Sequence, residues 1–404
     1  MSQPPFTAPL SDVASNIQPF RVMKILGEAK ALQAQGRDII HMEIGEPDFP
    51  SLACVHQAAF EASQKGLTHY TPTLGLPALR EKLSAFYRSF YHATVNAEQI
   101  MLTPGSSSAL QLVLTAIINP GDKVLLTDPT YPCNRQFVAL LHGQLVNVPT
   151  DPESNYQLNL SLLKTHWQTN IKVVMVASPA NPTGTVIEQS ELLAMAEFLA
   201  QRNAFLIVDE IYQGLVYDRP AESILANQKR PDNIIVINSF SKFFGMTGWR
   251  LGWCVAPKNL MPILDRLGQN LFLAAPTPSQ YAALAVLEDS ALGELEQRRH
   301  IFAERRDVLF NALQQAGFKP KVLPQGAFYL YWDVSEWTDN SEAFCEALLH
   351  QTGVAITPGT DFGVQEGHHY VRLAYTTDSA QLIIAVNRIA DFIRSLSSHE
   401  QHIE

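Results

Sequence analysis

Cysteine is scarce in this chain of 404 residues. Its four cysteines, Cys54, Cys133, Cys254 and Cys345, are widely separated, and no two of them form a Cys-x-x-Cys pair. A disulfide framework or a structural zinc site needs several cysteines at short spacings. We therefore expect a reduced, cytoplasmic protein that holds no metal.

Long apolar runs and an excess of positive charge are also missing. No run approaches the roughly 20 apolar residues of a membrane-spanning helix, and residues 1–20 lack the basic-then-apolar pattern of a signal peptide. The formal net charge of −10 argues against an extended nucleic-acid surface. The expected partners are small molecules, with no membrane and no nucleic acid.

What is present is typical of a soluble enzyme-sized protein. The apolar share is 46% and the charged share is 17%, which is an ordinary globular composition. A chain of this length exceeds what one hydrophobic core usually serves, so two domains are expected. We place an N-terminal arm and part of a small domain at 1–44, a large domain at 45–285 and the rest of the small domain at 286–404.

Between residues 100 and 256, short Val/Ile/Leu-rich strands alternate with helices. This pattern predicts an α/β fold whose mostly parallel sheet is covered by helices on both faces. The predicted strands are 100–103, 123–127, 172–177, 204–208, 234–238 and 251–256. The predicted helices are 109–118, 133–142 and 191–201, the last of them capped by Ser190.

The flanking segments read differently. Before residue 100 we predict a strand at 39–44 and helices at 22–35, 53–65 and 77–90. Residues 277–316 are predicted to be helical with few breaks, and residues 317–404 to form a smaller α+β unit. Its predicted strand segments are 321–323, 328–331, 354–357 and 370–375, and its helices are 341–351 and 379–396.

The most informative stretch runs from Ser239 to Trp253 and begins where a buried strand ends. It reads Ser-Phe-Ser-Lys-Phe-Phe-Gly-Met-Thr-Gly-Trp-Arg-Leu-Gly-Trp. A lysine just past a buried strand is costly unless something needs it. A phosphorylated aldehyde cofactor needs both a lysine that forms an imine, here Lys242, and an arginine that grips phosphate, here Arg250. An isolated Ser-x-Lys would instead be an ordinary surface loop.

A second stretch complements the first. Gly105, Ser106 and Ser107 precede a predicted helix, where free N–H groups and the helix dipole favour a phosphate. Simple serine N-capping is the commoner role of such residues. Together with Lys242 and Arg250, however, this stretch predicts the other half of a phosphate cup.

Polar residues at other strand ends fit the same cofactor. Asp209 ends an apolar strand; a helix cap or a structural ion pair is the alternative, but a carboxylate there would keep a pyridine nitrogen protonated. Tyr212 is predicted to donate to the phenolic oxygen of the cofactor, and Asn181 to share it. Tyr131 is predicted to stack on the ring. In an open α/β sheet, ligands bind outside the carboxyl ends of the strands.

The run S-F-S-K-x-x-x-M-T-G-W-R-x-G-W resembles the lysine signature of the class I pyridoxal-phosphate aminotransferases, which are fold-type I enzymes. The resemblance extends from Ile44-Gly45-Glu46-Pro47 to Arg372. It implies pyridoxal 5'-phosphate bound to Lys242 and a ping-pong transfer of an amino group between an α-amino acid and a 2-oxo acid. It assigns the phosphate to Ser106, Ser107, Ser239 and Arg250, and it supports the roles of Asp209, Tyr212, Asn181 and Tyr131.

The resemblance also changes the interpretation of three further residues. Gly45 is implied to lie beside the substrate. Arg372, which alone suggests a structural salt bridge, is implied to grip the substrate α-carboxylate through two hydrogen bonds. Tyr70, which alone suggests a half-buried loop aromatic, is implied to reach the cofactor phosphate of a neighbouring subunit. A homodimer with shared active sites follows from that role.

The donor is expected to be neutral: alanine-like, branched or aromatic, with 2-oxoglutarate or pyruvate as the acceptor. Related aspartate-specific enzymes place a lysine where Ser107 stands, and we find no obvious arginine for a second carboxylate. The candidates for contacting the substrate side chain are Phe20, Phe328 and Tyr329. Arg21 is the main threat to this expectation, because it could enter from the N-terminal arm as a second cation.

Other functions are less well supported. A lyase or synthase on the same scaffold shares nearly all of these cofactor residues, and an aspartate-type aminotransferase remains a second alternative. A cofactor-sensing transcription regulator would need an N-terminal DNA-binding domain. Only about forty residues precede Ile44, and the net charge is acidic, so this function is not expected.

Overall fold

The computed structural model describes residues 10–400. Its strands are β1 Ile40–His41, β2 Ile100–Thr103, β3 Lys123–Asp128, β4 Gln144–Pro149, β5 Ile171–Ala177, β6 Phe205–Asp209, β7 Ile234–Ser239, β8 Gly252–Val255, β9 Tyr329–Asp333, β10 Val354–Ala355, β11 Thr357–Pro358 and β12 Tyr370–Ala374. Its α-helices are α1 Asp12–Asn16, α2 Arg21–Ala34, α3 Ala53–Gln64, α4 Pro77–Phe90, α5 Ser106–Ile117, α6 Pro132–Leu140, α7 Leu160–Thr165, α8 Gln189–Ala200, α9 Met261–Leu271, α10 Thr277–Val286, α11 Asp289–Gln315, α12 Ser341–Thr352 and α13 Ser379–Glu400.

Seven strands form the central sheet, in the order β2-β8-β7-β6-β5-β3-β4. Neighbours from β7 to β4 are parallel, whereas β8 pairs antiparallel with both β7 and β2. Alternate residues of β6 enter different apolar clusters: Leu206 and Val208 lie on one side and Ile207 on the other. The sheet is therefore buried on both faces, which confirms the predicted α/β class.

A second, smaller sheet lies towards the C-terminus. In this C-terminal sheet, β12 is the middle strand and pairs antiparallel with β11 and β9. The register places Arg372 opposite Thr357 on one side and Tyr331 on the other. The N-terminal strand β1 pairs parallel with β10, so the chain's beginning joins this part of the molecule.

Several boundaries differ from the prediction. Helix α5 begins at Ser106, three residues early, so the serines lie in its first turn. The prediction that Ser190 caps α8 is wrong, because the helix already begins at Gln189 and its N-cap is Glu188. Strand 39–44 shortens to two residues, and residues 321–323 form no strand.

The helical stretch from 277 to 316 is also interrupted, since Leu287 and Glu288 separate α10 from α11. Strand β4 and helices α7 and α9 were not predicted. Between residues 10 and 400, none of the helices combines the length and the apolar character needed to span a bilayer.

Candidate active site

One cavity of about 240 Å³ lies where the carboxyl ends of the parallel strands face the C-terminal sheet. Strand ends bring distant sequence motifs together there, as expected for an open α/β sheet. Ten of the twelve predicted site residues line it: Gly45, Ser106, Ser107, Tyr131, Asn181, Asp209, Tyr212, Lys242, Arg250 and Arg372.

Lys242 lies in the loop after β7, and its Nζ donates a hydrogen bond of 2.6 Å to the carbonyl oxygen of Gly45. Burial lowers the pKa of Lys242 to about 8, helped by the charges of Arg372 and Arg250 and opposed by nearby carboxylates. A substantial fraction of this amine is therefore neutral near pH 8. Only the neutral amine can attack a carbonyl carbon.

Asp209 is the last residue of β6 and faces the same cavity. Burial raises the pKa of its carboxyl to about 6, although a hydrogen bond of 3.1 Å from the N–H of Ile211 and the charge of Lys242 oppose this. A buried carboxylate that has a single N–H donor gains from a cationic partner. A protonated ring nitrogen would supply that partner.

The part of the cavity lined by the start of α5 and Arg250 is suited to an anion. Gly105, with φ +83°, is the N-cap of α5, and a Cβ built on it would lie 2.6 Å from Nη2 of Arg250. Only glycine lets the arginine approach this backbone so closely. Within residues 10–400, no side chain caps the start of α5, so its N–H groups, Ser106, Ser107 and Arg250 fit a phosphate.

Two predicted residues do not line this cavity. Ser239 is 1% exposed, and its Oγ bonds to Ser241 at 2.9 Å and to the carbonyl oxygen of Leu251 at 3.2 Å. Ser241 lines the cavity in its place. Tyr70 is 82% exposed. The phosphate roles of Ser239 and Tyr70 remain predictions.

Arg372 is buried at the other side of the cavity. Its guanidinium donates to Oδ1 of Asn181 at 3.0 Å, to Oγ1 of Thr357 at 3.3 Å and to the carbonyl oxygen of Glu43. Across residues 10–400, no carboxylate lies within ion-pair distance of Arg372, and its Nε has no hydrogen-bond partner. The structural salt bridge considered above is therefore absent from the described chain. A buried cation without a counter-ion favours an anionic ligand.

The N-terminal arm forms part of the cavity wall. Phe20 lies 6.3 Å from Tyr131 between ring centroids, and Val22 also lines the cavity. Arg21 instead has its Nε 2.5 Å from Oε1 of Glu342, outside the lining. The backbone N–H groups of Arg21 and Val22 each donate to the Asp361 carboxylate at 2.9 Å.

Residues that the sequence did not reveal complete the wall. Of these, Asp361 and Phe362 come from the segment that follows β11. The others are Val22, Met23, Ile44, Leu110, Pro132, Ala177, Ile211, Ser241 and Thr247. The only signal available was the turn-forming Pro-Gly-Thr-Asp sequence at 358–361 directly after a predicted strand. Of the predicted side-chain contacts, Phe20 and Tyr329 line the cavity, but Phe328 does not.

The sequence profile of the family described as aminotransferase class I and II matches residues 37–389. The chain belongs to this family. It is therefore a pyridoxal-phosphate-dependent aminotransferase of fold type I. Lys242, Asp209 and Arg250 line one cavity, and they fit this cofactor chemically, because it needs an amine, a carboxylate and phosphate donors.

Similar proteins extend over almost the whole chain. A valine–pyruvate aminotransferase of Mycobacterium tuberculosis is 35% identical, and the match covers 94% of this chain and 98% of that protein. The crystal structure of an aminotransferase from the same organism superposes with a TM-score of 0.92 at 35% identity, over 96% and 100% of the two chains. Thermus thermophilus aspartate aminotransferase with maleate gives 0.89 at 32% identity, over 95% and 100%.

Proposed function

We propose that the amino donor is a neutral α-amino acid (alanine-like, branched or aromatic) and that pyruvate or 2-oxoglutarate accepts the amino group. The observation that carries this proposal is the charge of the cavity wall. Among residues 10–400, its only lysine, arginine or histidine side chains are Lys242, Arg250 and Arg372. All three already have roles, so a second substrate carboxylate has no cation to meet there.

The remaining wall is suited to an apolar side chain. Phe20, Val22, Met23, Ile44 and Phe362 line it, and burying such surfaces against a hydrocarbon side chain is favourable by roughly 25 cal/mol per Å². Asp361 adds a carboxylate to the same wall. Its oxygens already accept the N–H groups of Arg21 and Val22 and lie 3.9 Å from Nη1 of Arg21, and a carboxylate has no donor to offer the side chain of aspartate or glutamate.

When bound, pyridoxal phosphate supplies an aldehyde that condenses with amines and a ring that accepts the electrons left on Cα. Asp209 would hold the ring nitrogen protonated, and Tyr212 and Asn181 would donate to the phenolic oxygen. Arg372 orients the α-carboxylate, which fixes the direction of the Cα–H bond. Lys242 Nζ then removes the proton from Cα, and its lowered pKa suits a base working near neutral pH.

An aspartate-type enzyme is the second candidate, because a 32% identical neighbour is the Thermus thermophilus aspartate aminotransferase. This alternative needs a second cation in the cavity, and Arg21 is a candidate source, because its Nη1 lies 3.9 Å from Oδ1 of the lining residue Asp361. Arg21 would have to leave Glu342, to which its Nε now donates. The name of the Mycobacterium tuberculosis relative, valine–pyruvate aminotransferase, supports the neutral donor instead.

Half-reactions with single donors test the proposal. Valine, leucine, alanine, phenylalanine and aspartate are each mixed with the holoenzyme, and conversion of the cofactor from its aldehyde to its amine form is followed by absorbance. We expect a neutral donor to be fastest. Aspartate fastest by a wide margin would overturn the assignment of the cavity wall. Arg21→Ala is the matched variant, since it would slow only aspartate if Arg21 served the second carboxylate.

We further propose a cytoplasmic homodimer with shared active sites. Tyr70 is 82% exposed, and Leu67 beside it is 38% exposed, which suits a segment that another subunit covers. Mixing inactive Lys242→Ala with an inactive Tyr70 variant should restore partial activity, because one of the two sites in a mixed dimer then combines an unaltered Lys242 and Arg250 with an unaltered Tyr70 from the other subunit. A monomer in light scattering would contradict this.

A further inference from the structure

We propose that Asp128 is a positioning residue: it holds the segment Asp361–Gln365, the 361–365 loop, so that Phe362 fixes the guanidinium of Arg372. The proposal rests on the assignment of Arg372 to the substrate α-carboxylate. Asp128 ends β3 of the central sheet, whereas the 361–365 loop and Arg372 belong to the C-terminal part of the chain.

The Asp128 carboxylate is the centre of the contact. Its side chain is buried, and it accepts N–H groups from Val364 at 2.9 and 3.1 Å and from Gln365 at 3.0 Å. Nη2 of Arg135 lies 3.4 Å from the same carboxylate. A carboxylate at this depth costs several kcal/mol unless such donors satisfy it, so the loop's position is tied to this charge.

The carbonyl group of Phe362 provides a second attachment. It accepts the N–H of Thr130 at 3.0 Å and a hydrogen bond from Nη2 of Arg135. Arg135 thereby bridges the Asp128 carboxylate and the loop backbone. The loop is therefore held at Val364 and Gln365 by Asp128, the last residue of β3, and at Phe362 by Thr130, which directly precedes Tyr131.

The position of the loop affects the substrate site because Phe362 contacts Arg372. The ring centroid of Phe362 lies 4.8 Å from Cζ of Arg372, and that of Tyr329 lies 4.3 Å from it. Arginine planes stack on aromatic rings with a defined orientation. Because Arg372 has no counter-ion in the described chain, these two rings and its three oxygen acceptors are what orient it.

The loop also reaches the N-terminal arm. Asp361 accepts the first two N–H groups of α2, from Arg21 and Val22, which fixes the start of that helix. Val22 and Met23 line the cavity. Releasing the loop would therefore loosen both the arginine and the wall that faces the substrate side chain.

The test compares Asp128→Asn with the wild-type holoenzyme. The amide keeps the shape but places an NH₂ group against one of the loop N–H donors. A branched-chain monocarboxylate lacking an amino group, 4-methylpentanoate, is titrated into the holoenzyme and followed by the cofactor absorbance. We expect its Kd to rise by about tenfold or more, as for loss of a hydrogen bond to a charged group.

Two further variants separate positioning from folding. Phe362→Leu keeps the backbone contacts of the loop but removes the ring, and it should weaken the monocarboxylate in the same direction. Asp333→Asn alters a carboxylate that accepts the N–H of Ser335 in the C-terminal sheet, away from the loop. It should lower stability at most and leave this Kd unchanged.

The cofactor spectrum without ligand should be the same in all of these variants. An unchanged monocarboxylate Kd in Asp128→Asn would overturn the proposal, even with a lower melting temperature. A rise of equal size in Asp333→Asn would also overturn it, by showing a general loss of order. The monocarboxylate assay does not depend on which amino acid the wild type transaminates, so failure of the donor assignment would be seen separately.

Discussion

The phenolic oxygens of Tyr212 and Tyr329 lie 2.8 Å apart, and both side chains are buried. Tyr212 follows β6 of the central sheet, whereas Tyr329 begins β9 of the C-terminal sheet. Tyr329 also contacts Arg372 through its ring face. One hydrogen bond therefore connects Tyr212, which is predicted to donate to the cofactor, with Tyr329, whose ring packs against Arg372.

Gly45 packs against Tyr329, and replacing Gly45 gives the first prediction. A Cβ at Gly45 would lie 2.2 Å from the hydroxyl oxygen of Tyr329, so Gly45→Ala must displace that hydroxyl. We expect a higher KM and a lower kcat, with part of the loss recovered in Gly45→Ala/Tyr329→Phe. Gly27→Ala is the control, since nothing lies within 4 Å of its Cβ. A fully active Gly45→Ala would show that this contact is not needed.

Asp209→Ala should damage catalysis more than cofactor binding, because its proposed task is to keep the ring nitrogen protonated. We expect kcat to fall by roughly 100-fold or more, as for loss of an essential acid–base partner. The Kd of pyridoxal phosphate should change far less, because the phosphate contacts remain.

Glu210→Gln is the matched control for that variant. Glu210 is an equally buried neighbour that accepts the N–H of Ile224 at 2.9 Å and does not line the cavity. It should affect stability and leave kcat near the wild-type value. A near-normal kcat in Asp209→Ala would refute the electronic role.

Arg372→Ala should raise KM steeply for every amino donor. All α-amino acids carry the α-carboxylate that Arg372 is predicted to bind. Truncating one partner of a buried charge pair costs roughly 2–5 kcal/mol. Arg388→Ala is a suitable control, since Arg388 pairs with the Asp38 side chain and neither residue lines the cavity. A KM that rose for only one donor would show that Arg372 binds a side chain instead.

The lowered pKa of Lys242 predicts how the apoenzyme captures its cofactor. The pKa of Lys242 in the folded protein is about 8, below the ordinary 10.5, so half of the amine is neutral at a pH about 2.5 units lower than in an exposed lysine. Capture of pyridoxal phosphate, followed by stopped-flow absorbance, should accelerate from pH 6.5 and level off above pH 9. A rate still rising tenfold per unit beyond pH 9 would show an unshifted lysine.

The sequence predicted the strand-end motifs well, because each is local. Asp209 and Lys242 each follow a continuous apolar strand, and such strands converge at one edge of a parallel sheet. The family resemblance then supplied roles for Gly45 and Arg372, which no local pattern could have given. Strand β4 was missed because Leu145 and Gln144 are exposed at the sheet edge, so its pattern is mixed.

The contacts between the two sheets could not be predicted. In the sequence, Asp128 directly follows the predicted strand 123–127 and Phe362 directly follows Pro-Gly-Thr-Asp, and neither position indicates a contact between them. Their roles depend on hydrogen bonds between residues more than 230 positions apart, such as Val364 N–H to Asp128. From the sequence, Arg21 was likewise a candidate second cation for a substrate side-chain carboxylate. The structure shows that its Nε donates to Glu342 instead.

Covalent labelling of Lys242 tests the central claim most directly. The purified holoenzyme is reduced with borohydride, digested and mapped by mass spectrometry, with Lys242→Ala as the control. We predict that the reduced pyridoxyl adduct lies on Lys242 alone, and that Lys242→Ala binds the cofactor without a covalent bond and has no transaminase activity. An adduct on another lysine would contradict the assignment of this cavity as the active site. Catalytic turnover by Lys242→Ala would contradict it as well.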